Sequence, residues 1–371
     1  MENLQFIGVD LHSNAFNICK ISPDGIKYRE KFSLNNPQDV LKFAECLDKN
    51  TYVMVEASTN TFSFCDIVRP YVCEIYVANP YKLKLISMVK KKTDKVDAEK
   101  LAVILKMQVT SGESLFDPVY IPDQNVRDLR SLFTTYKVLK KQSGSLKNRI
   151  RSLYRQNLKT LSATLSLSKP CIKRLKGIKL SESANLQVDI LLAAYLSLSE
   201  QIKASKDAIQ KLGANFIEEV DILTSMRGIS VFTALAVIAD IGDISRFPNS
   251  KKLCSYLRSA PGVDSSNETT RILSTNKQSR KLAVTFLTQA LTHFKTSNPK
   301  LKAWSAKKDG TKGKGKLRMA ICRKVFTEIY QMLKKKQYHY FVDEKNHQFK
   351  MKRYISFLKR QELLVEKLKA A

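Results

Sequence analysis

Apolar and polar positions set the first elements. Leu4 to Val9 is a compact apolar run, Ala15 to Ile21 partly alternates, and Ile26 to Leu34 alternates through Tyr28 and Phe32. Alternation with a period of two predicts strands, and Pro23-Asp24-Gly25 supplies the turn between the last two. Pro37 opens a helix whose apolar residues, Val40, Leu41, Ala44 and Leu47, recur at helical spacing. Tyr52 to Val55 predicts a fourth strand, Phe62 to Tyr71 a helix, and Glu74 to Ala78 a fifth strand.

Three strands, a helix, and then strands alternating with helices describe an α/β layer with a mixed sheet. This order matches the ribonuclease-H-like fold. A further helix is predicted from Asp94 to about Lys106, with Val96, Leu101, Ile104 and Leu105 on its buried side. After Pro118 and Pro122 the pattern changes. Asp123 can cap a long helix through Asn157, and a second amphipathic stretch runs from Val188 to Leu212. Two long helices around a Ser/Lys-rich middle (160–187) predict either an antiparallel coiled-coil arm or an ordinary bundle packed on the core. From Ile222 a mostly helical region follows, ending in the basic stretch Lys307 to Arg318 and a helix through Ile321, Val325, Ile329 and Leu333. Residues 335–371 read as a helical or partly disordered tail. The expected division is 1–120 for the α/β domain, 121–215 for the helical arm and 216–371 for the last domain, an α/β plus α organisation.

Charge changes the picture. The 371 residues carry a net charge of +30, which points to a polyanionic partner, DNA or RNA. Residues 1–100 hold 14 Lys/Arg against 13 Asp/Glu, and the rest hold 50 against 21. The first segment keeps its own acids, and the remainder offers the surface that grips phosphates. No apolar run approaches the roughly 20 residues of a spanning helix, and no secretory signal is evident, so a cytoplasmic location is expected. The seven scattered cysteines form no C-x-x-C pair and read as reduced thiols.

Against this background the acids stand out. Asp10 ends the first strand, Glu56 ends the fourth, and Asp94 and Asp97 share a helix face at i and i+3. Carboxylates converging at about 4 Å repel by roughly 4 kcal/mol per pair at an effective dielectric near 20. A divalent cation removes that cost, and Mg²⁺ or Mn²⁺ suits oxygen-only ligands in phosphodiester chemistry. His12 lies near Asp10, where a bystander role is expected. Arg227-Gly228-Ile229-Ser230 and Ile241-Gly242-Asp243 flank an apolar helix, as either a phosphate-holding helix-hairpin-helix or a plain helical turn. Ala260 to Arg271 reads as a hydroxyl-rich loop, followed by Lys277, Arg280 and Lys281. A serine there could attack a phosphodiester or merely cap a turn. The stretch Lys307 to Arg318 joins flexible glycines to cations, but it lacks the Walker A pattern.

Together Gly8-Val9-Asp10, Val55-Glu56-Ala57-Ser58, Asn79-Pro80 and Lys92-Thr93-Asp94-Lys95-Val96-Asp97-Ala98 resemble the DEDD-type transposases of insertion sequences, the IS one-ten family related to Piv-type DNA invertases. Gly228-Ile229, Ile241-Gly242-Asp243, Arg246-Phe247 and the Gly/Lys-rich loop extend the resemblance through the second half. It implies a RuvC-like ribonuclease-H-fold domain, a coiled-coil domain and a transposase domain with an essential serine. It further implies that Asp10, Glu56, Asp94 and Asp97 bind Mg²⁺, with Mn²⁺ as the alternative, and that the serine forms a covalent phosphoserine intermediate. Implied partners are donor and target DNA, a structured non-coding guide RNA and further copies of the chain, as dimers forming a tetramer at the prokaryotic nucleoid. The family's Ser-Gly appears here as Ser266-Asn267 with shortened spacing. Ser266 is therefore the best match, with Ser265 and Thr269 as alternatives. A Holliday-junction-type endonuclease, using the acids with water as nucleophile, is the rival expectation.

Overall fold

The computed structural model describes residues 4–22, 24–81, 94–112, 115–162, 165–266, 269–275, 279–311 and 313–370. They form two compact units, 1–121 and 122–371. The Lys-rich segment before Asp94 and part of the Pro23 turn lie outside the described residues.

The first unit is a five-stranded mixed sheet in the order β3-β2-β1-β4-β5. Its strands are β1 (Gln5–Leu11), β2 (Ala15–Ile21), β3 (Lys27–Ser33), β4 (Thr51–Glu56) and β5 (Glu74–Ala78). β1 pairs antiparallel with β2 and parallel with β4. Side-chain alternation sorts β1 between two cores. Ile7, Val9 and Leu11 join Phe16, Phe43, Val53 and Val55 beneath α1 (Pro37–Glu45) and α2 (Thr61–Val68). Phe6 and Met54 face the other way, onto Leu101, Ile104 and Leu105 of α3 (Asp94–Ser111). The predicted helix from Phe62 to Tyr71 ends early, at Val68. Pro70 offers no N–H to continue the ladder, and Arg69–Tyr71 tighten into a single 3₁₀ turn.

α3 lies unusually close to β1. A Cβ built on Gly8 would stand 2.1 Å from the Ala98 carbonyl oxygen and 2.4 Å from the Ala102 nitrogen. Only a residue without a side chain lets the helix backbone settle there. On its flank, Glu99 accepts from Lys27 Nζ at 2.6 Å and from an Arg29 guanidinium nitrogen at 2.5 Å, which ties α3 to the edge strand β3.

The second unit is mostly helical. α4 (Gln124–Gln156) and α6 (Glu182–Leu212) pair along their lengths. The Ser/Lys-rich middle is not featureless. It contains α5 (Lys169–Lys176), and Leu165, Leu167 and Leu175 close a small core with Ile150, Leu153, Tyr154, Val188 and Leu192. The Tyr154 hydroxyl donates to the Leu175 carbonyl at 2.8 Å.

The main core of this unit surrounds α8 (Val231–Ile241), which follows α7 (Ile217–Thr224) and is buried at every position. Then come α9 (Ser250–Tyr256), an antiparallel hairpin of β6 (Pro261–Ser266) and β7 (Thr269–Thr275), and α10 (Leu282–Leu287). α11 (Leu291–Ser297), α12 (Pro299–Ala306), α13 (Lys314–Lys335) and α14 (Glu344–Ala370) complete it. The tail is thus a helix anchored by Tyr354, which is 2% exposed and donates to the Gln210 carbonyl at 2.8 Å.

Gly8→Ala sets a methyl group against helix backbone that cannot rotate away. We expect it to destabilise the first unit by about 3 kcal/mol, the upper end of ordinary overpacking. A thermal-unfolding comparison of Gly8→Ala with wild type checks this.

Candidate metal centre and serine hairpin

Asp10 and Glu56 are set by strand pairing. Val9 lies opposite Val55 in the parallel register, so the next residues, Asp10 and Glu56, lie at the C-terminal ends of adjacent strands about 4.8 Å apart, Asp10 one residue before the last of β1. Alternation puts Asp10 on the face of Phe6 and Gly8, and Glu56 on the face of Met54. Both therefore lie on the side of the sheet that α3 covers. Within α3, Ala98 and Ala102 sit over Gly8 while Leu101 and Leu105 lie with Phe6, so the helix runs antiparallel to β1. Its first turn, carrying Asp94 and Asp97, accordingly comes to the edge where Asp10 and Glu56 emerge.

The loops at this edge are cross-tied. Asn60 Nδ2 donates to the His12 carbonyl at 3.0 Å, and Thr61 Oγ1 donates to the Glu56 carbonyl at 3.0 Å. Asp10 Oδ2 lies 3.2 Å from His12 Nε2, with the Asp10 side chain 13% exposed. His12, expected to be a bystander, is therefore a neighbour of the first carboxylate; its position two residues beyond Asp10 was the available signal. Asp97 Oδ1 accepts from Lys100 Nζ at 3.0 Å. Among the described residues no three His, Cys, Asp or Glu side chains lie close enough to share one ion. The side chain of Asp94 lies outside the described residues. The donor chemistry, carboxylate oxygens at one sheet edge, nonetheless fits a hard divalent cation.

Glu99 has a different role from its acidic neighbours. Hydrogen bonds from Lys27 and Arg29 hold its carboxyl below the usual carboxylate range. It anchors α3 and points away from the strand-end acids, toward β3.

The stretch Ala260 to Arg271, read from sequence as a loop, instead contributes to the antiparallel pair β6 (Pro261–Ser266) and β7 (Thr269–Thr275). Ser266 pairs with Thr269 and Ser265 with Thr270 at its tip. Asn267 and Glu268, and the side chains of Ser265, Ser266 and Thr269, lie outside the described residues. At the first of the two glycine turns around α8, close packing calls for the glycine. Gly228 takes a φ of +99°, and a Cβ there would meet His293 Cβ at 3.0 Å and Phe294 at 3.2 Å. Arg246 caps α8 by donating to the Ile241 carbonyl at 3.2 and 3.0 Å, and its guanidinium lies against the Phe247 and Tyr256 rings. The Gly/Lys-rich stretch is partly helical, because Lys314, Lys316 and Arg318 already belong to the start of α13. Among the described residues no helix is long and apolar enough to cross a membrane.

A transposase model for DEDD-type IS110 elements matches residues 7–157, and a model described as "Transposase IS116/IS110/IS902 family" matches residues 220–306. The chain is also similar to the "Transposase for insertion sequence element IS1111A" of Coxiella burnetii. The two are 23% identical over 350 residues, which span 91% of this chain and 92% of the relative.

Because the Glu99 carboxyl is held low, its contribution to stability is full above the ordinary carboxylate range and is lost as pH falls through its lowered folded value. Glu99→Gln should therefore lower the melting temperature at neutral pH, and the gap from wild type should close in acid. A pH series of melting curves tests this sign.

Proposed function

The chain belongs to the IS110 family of DEDD transposases, and from that premise we propose that it cuts and rejoins DNA with a metal-bound acidic tetrad and a serine nucleophile. It is a DNA transposase, and its DEDD-type domain calls for a divalent metal ion. The observation that carries the finer reading is the placement of Asp10 and Glu56 at the ends of adjacent parallel strands, under the helix turn that bears Asp94 and Asp97.

In this reading Asp10, Glu56, Asp94 and Asp97 hold Mg²⁺, or Mn²⁺ in its place. The bound ion supplies Lewis-acid stabilisation of charge on phosphate oxygens. Lys100 contacts Asp97 and His12 contacts Asp10, and each contact orients its carboxylate. Ser266 Oγ attacks the phosphorus, the bond to the 3′ oxygen breaks, and that oxygen leaves as a hydroxyl with the proton the serine gave up. The DNA 5′ end is held as a phosphoserine ester, and attack by another 3′ hydroxyl transfers the strand and restores the serine.

The place of Ser266 at the end of β6, paired with Thr269, supports this role, because a strand end can present a hydroxyl to a backbone. Ser265 and Thr269 are the near alternatives. The excess of cations beyond residue 100 suits donor and target DNA together with a structured guide RNA. The α4–α6 pair, residues 121–215, is read as a coiled-coil arm for dimers that assemble into tetramers. Leu186 and Ile190, 63% and 60% exposed at i and i+4 on α6, offer an apolar stripe to a second copy. Action at the nucleoid follows from this reading.

Asp97→Ala and Ser266→Ala should each lower recombination by about a thousand-fold or more while leaving thermal unfolding unchanged. Wild type should form a covalent protein–DNA adduct that Ser266→Ala lacks. Full recombination by Asp97→Ala would sink the tetrad. An adduct that survives Ser266→Ala moves the nucleophile to Ser265 or Thr269. Metal-dependent cleavage without any adduct in wild type identifies the junction-type endonuclease instead.

A further inference from the structure

A cleft in the second unit gathers positive charge with little to balance it. Arg130 and Lys137 of α4, Arg258 after α9, and Arg280 and Lys281 before α10 line a cavity of about 320 Å³. Asp240 is the one acid among its described lining residues. That carboxylate is already engaged. It is 3% exposed, accepts from the Ala283 backbone nitrogen at 2.8 Å, and lies 3.7 Å from Arg280 Nε.

The cations are held in place by the fold. Arg130 donates to the Ala239 and Asp240 carbonyls at 2.6 and 3.2 Å, two of the orphan acceptors at the end of α8. Burial and the neighbouring Arg280 push Arg130 down to about 10, the mark of cations crowded in a poorly solvated place. Arg258 sits at a φ of +56°, backbone that few side chains adopt, and the chain beyond it is fixed by Ser259 and Ala260 donating to the Cys254 carbonyl. The Arg280 backbone nitrogen donates to the Tyr256 carbonyl at 3.0 Å, closing the base of the β6–β7 hairpin.

Charge also leads away from the cleft. Lys137 and Lys141 follow Arg130 at i+7 and i+11 on α4, close to one helix face, and both are exposed. A lone anion needs only the cleft, whereas a polymer of phosphates uses the track as well.

We propose that this cleft seats a backbone phosphate of duplex DNA, with the neighbouring phosphates running along α4. The inference rests on the chain acting on DNA, but on neither Ser266 nor the acidic tetrad. The cleft lies at the foot of the hairpin whose tip carries Ser266, so a phosphate held here fixes the register of the duplex beside that hairpin. The contact positions DNA and carries no sequence information.

The test measures binding of the full-length protein to a short labelled DNA duplex over a salt series. A chelator is present so that no strand is cut. The double variant Lys137→Gln/Arg258→Gln should bind more weakly and show a log K against log salt slope reduced by about 1, the loss of at least one phosphate contact. The control Lys31→Gln/Lys42→Gln removes equal charge from the first unit and should leave the slope unchanged. If Arg258→Gln lowers the melting temperature, Lys137→Gln/Lys281→Gln replaces it and is read the same way. An unchanged slope in the cleft variant, or an equal fall in the control, overturns the proposal. So does a change seen only with an RNA duplex, which assigns the cleft to RNA. Normal duplex binding by a wild-type chain that never recombines contradicts the transposition chemistry alone.

Discussion

The contact between α3 and β1 at Gly8 governs the first unit. Helix backbone meets strand backbone with no side chain between them, so α3 cannot slide without opening a void or a clash. That contact brings the turn bearing Asp94 and Asp97 to the edge where Asp10 and Glu56 emerge. Glu99 then fixes the helix sideways through Lys27 and Arg29. A glycine two residues before the first acid is therefore as much a part of the proposed site's construction as the acids themselves.

The second unit solves a different problem. α8 is buried on every side, and its last carbonyls end among other helices. Arg130 and Arg246 answer them with guanidinium groups, while Asp240 turns outward to the start of α10. Satisfying a buried helix end in this way concentrates cations at the foot of the hairpin. A structural requirement thereby leaves a surface suited to phosphate, and the chemistry proposed for Ser266 sits on the same short stretch of chain.

Much of the first unit was legible because its sheet is buried unevenly. The partial alternation in β2, and the apolar runs cut off by Asp10 and Glu56, register directly in the sequence. The mixed α/β layer with a five-stranded sheet followed from the same pattern. Other features depend on partners distant in sequence and leave no periodic trace. The closeness demanded at Gly8 appears only once α3 is in place. Asp240 and Arg280 look like ordinary surface charges until α8 and α10 meet. The 261–275 hairpin reads as a loop because Pro261, Gly262, Asp264 and two serines give it no apolar alternation; its strands are held by backbone pairing. The tail looked polar because only a few residues, Tyr354 above all, anchor it.

The central claim is that the strand-end acids and the first turn of α3 form one divalent-metal site. The most direct measurement is Mn²⁺ binding to the full-length protein without nucleic acid, followed by electron paramagnetic resonance. Wild type should bind Mn²⁺, and Asp10→Asn and Asp97→Asn should each lose that binding while melting at or above the wild-type temperature. Unchanged Mn²⁺ affinity in both variants would contradict the account.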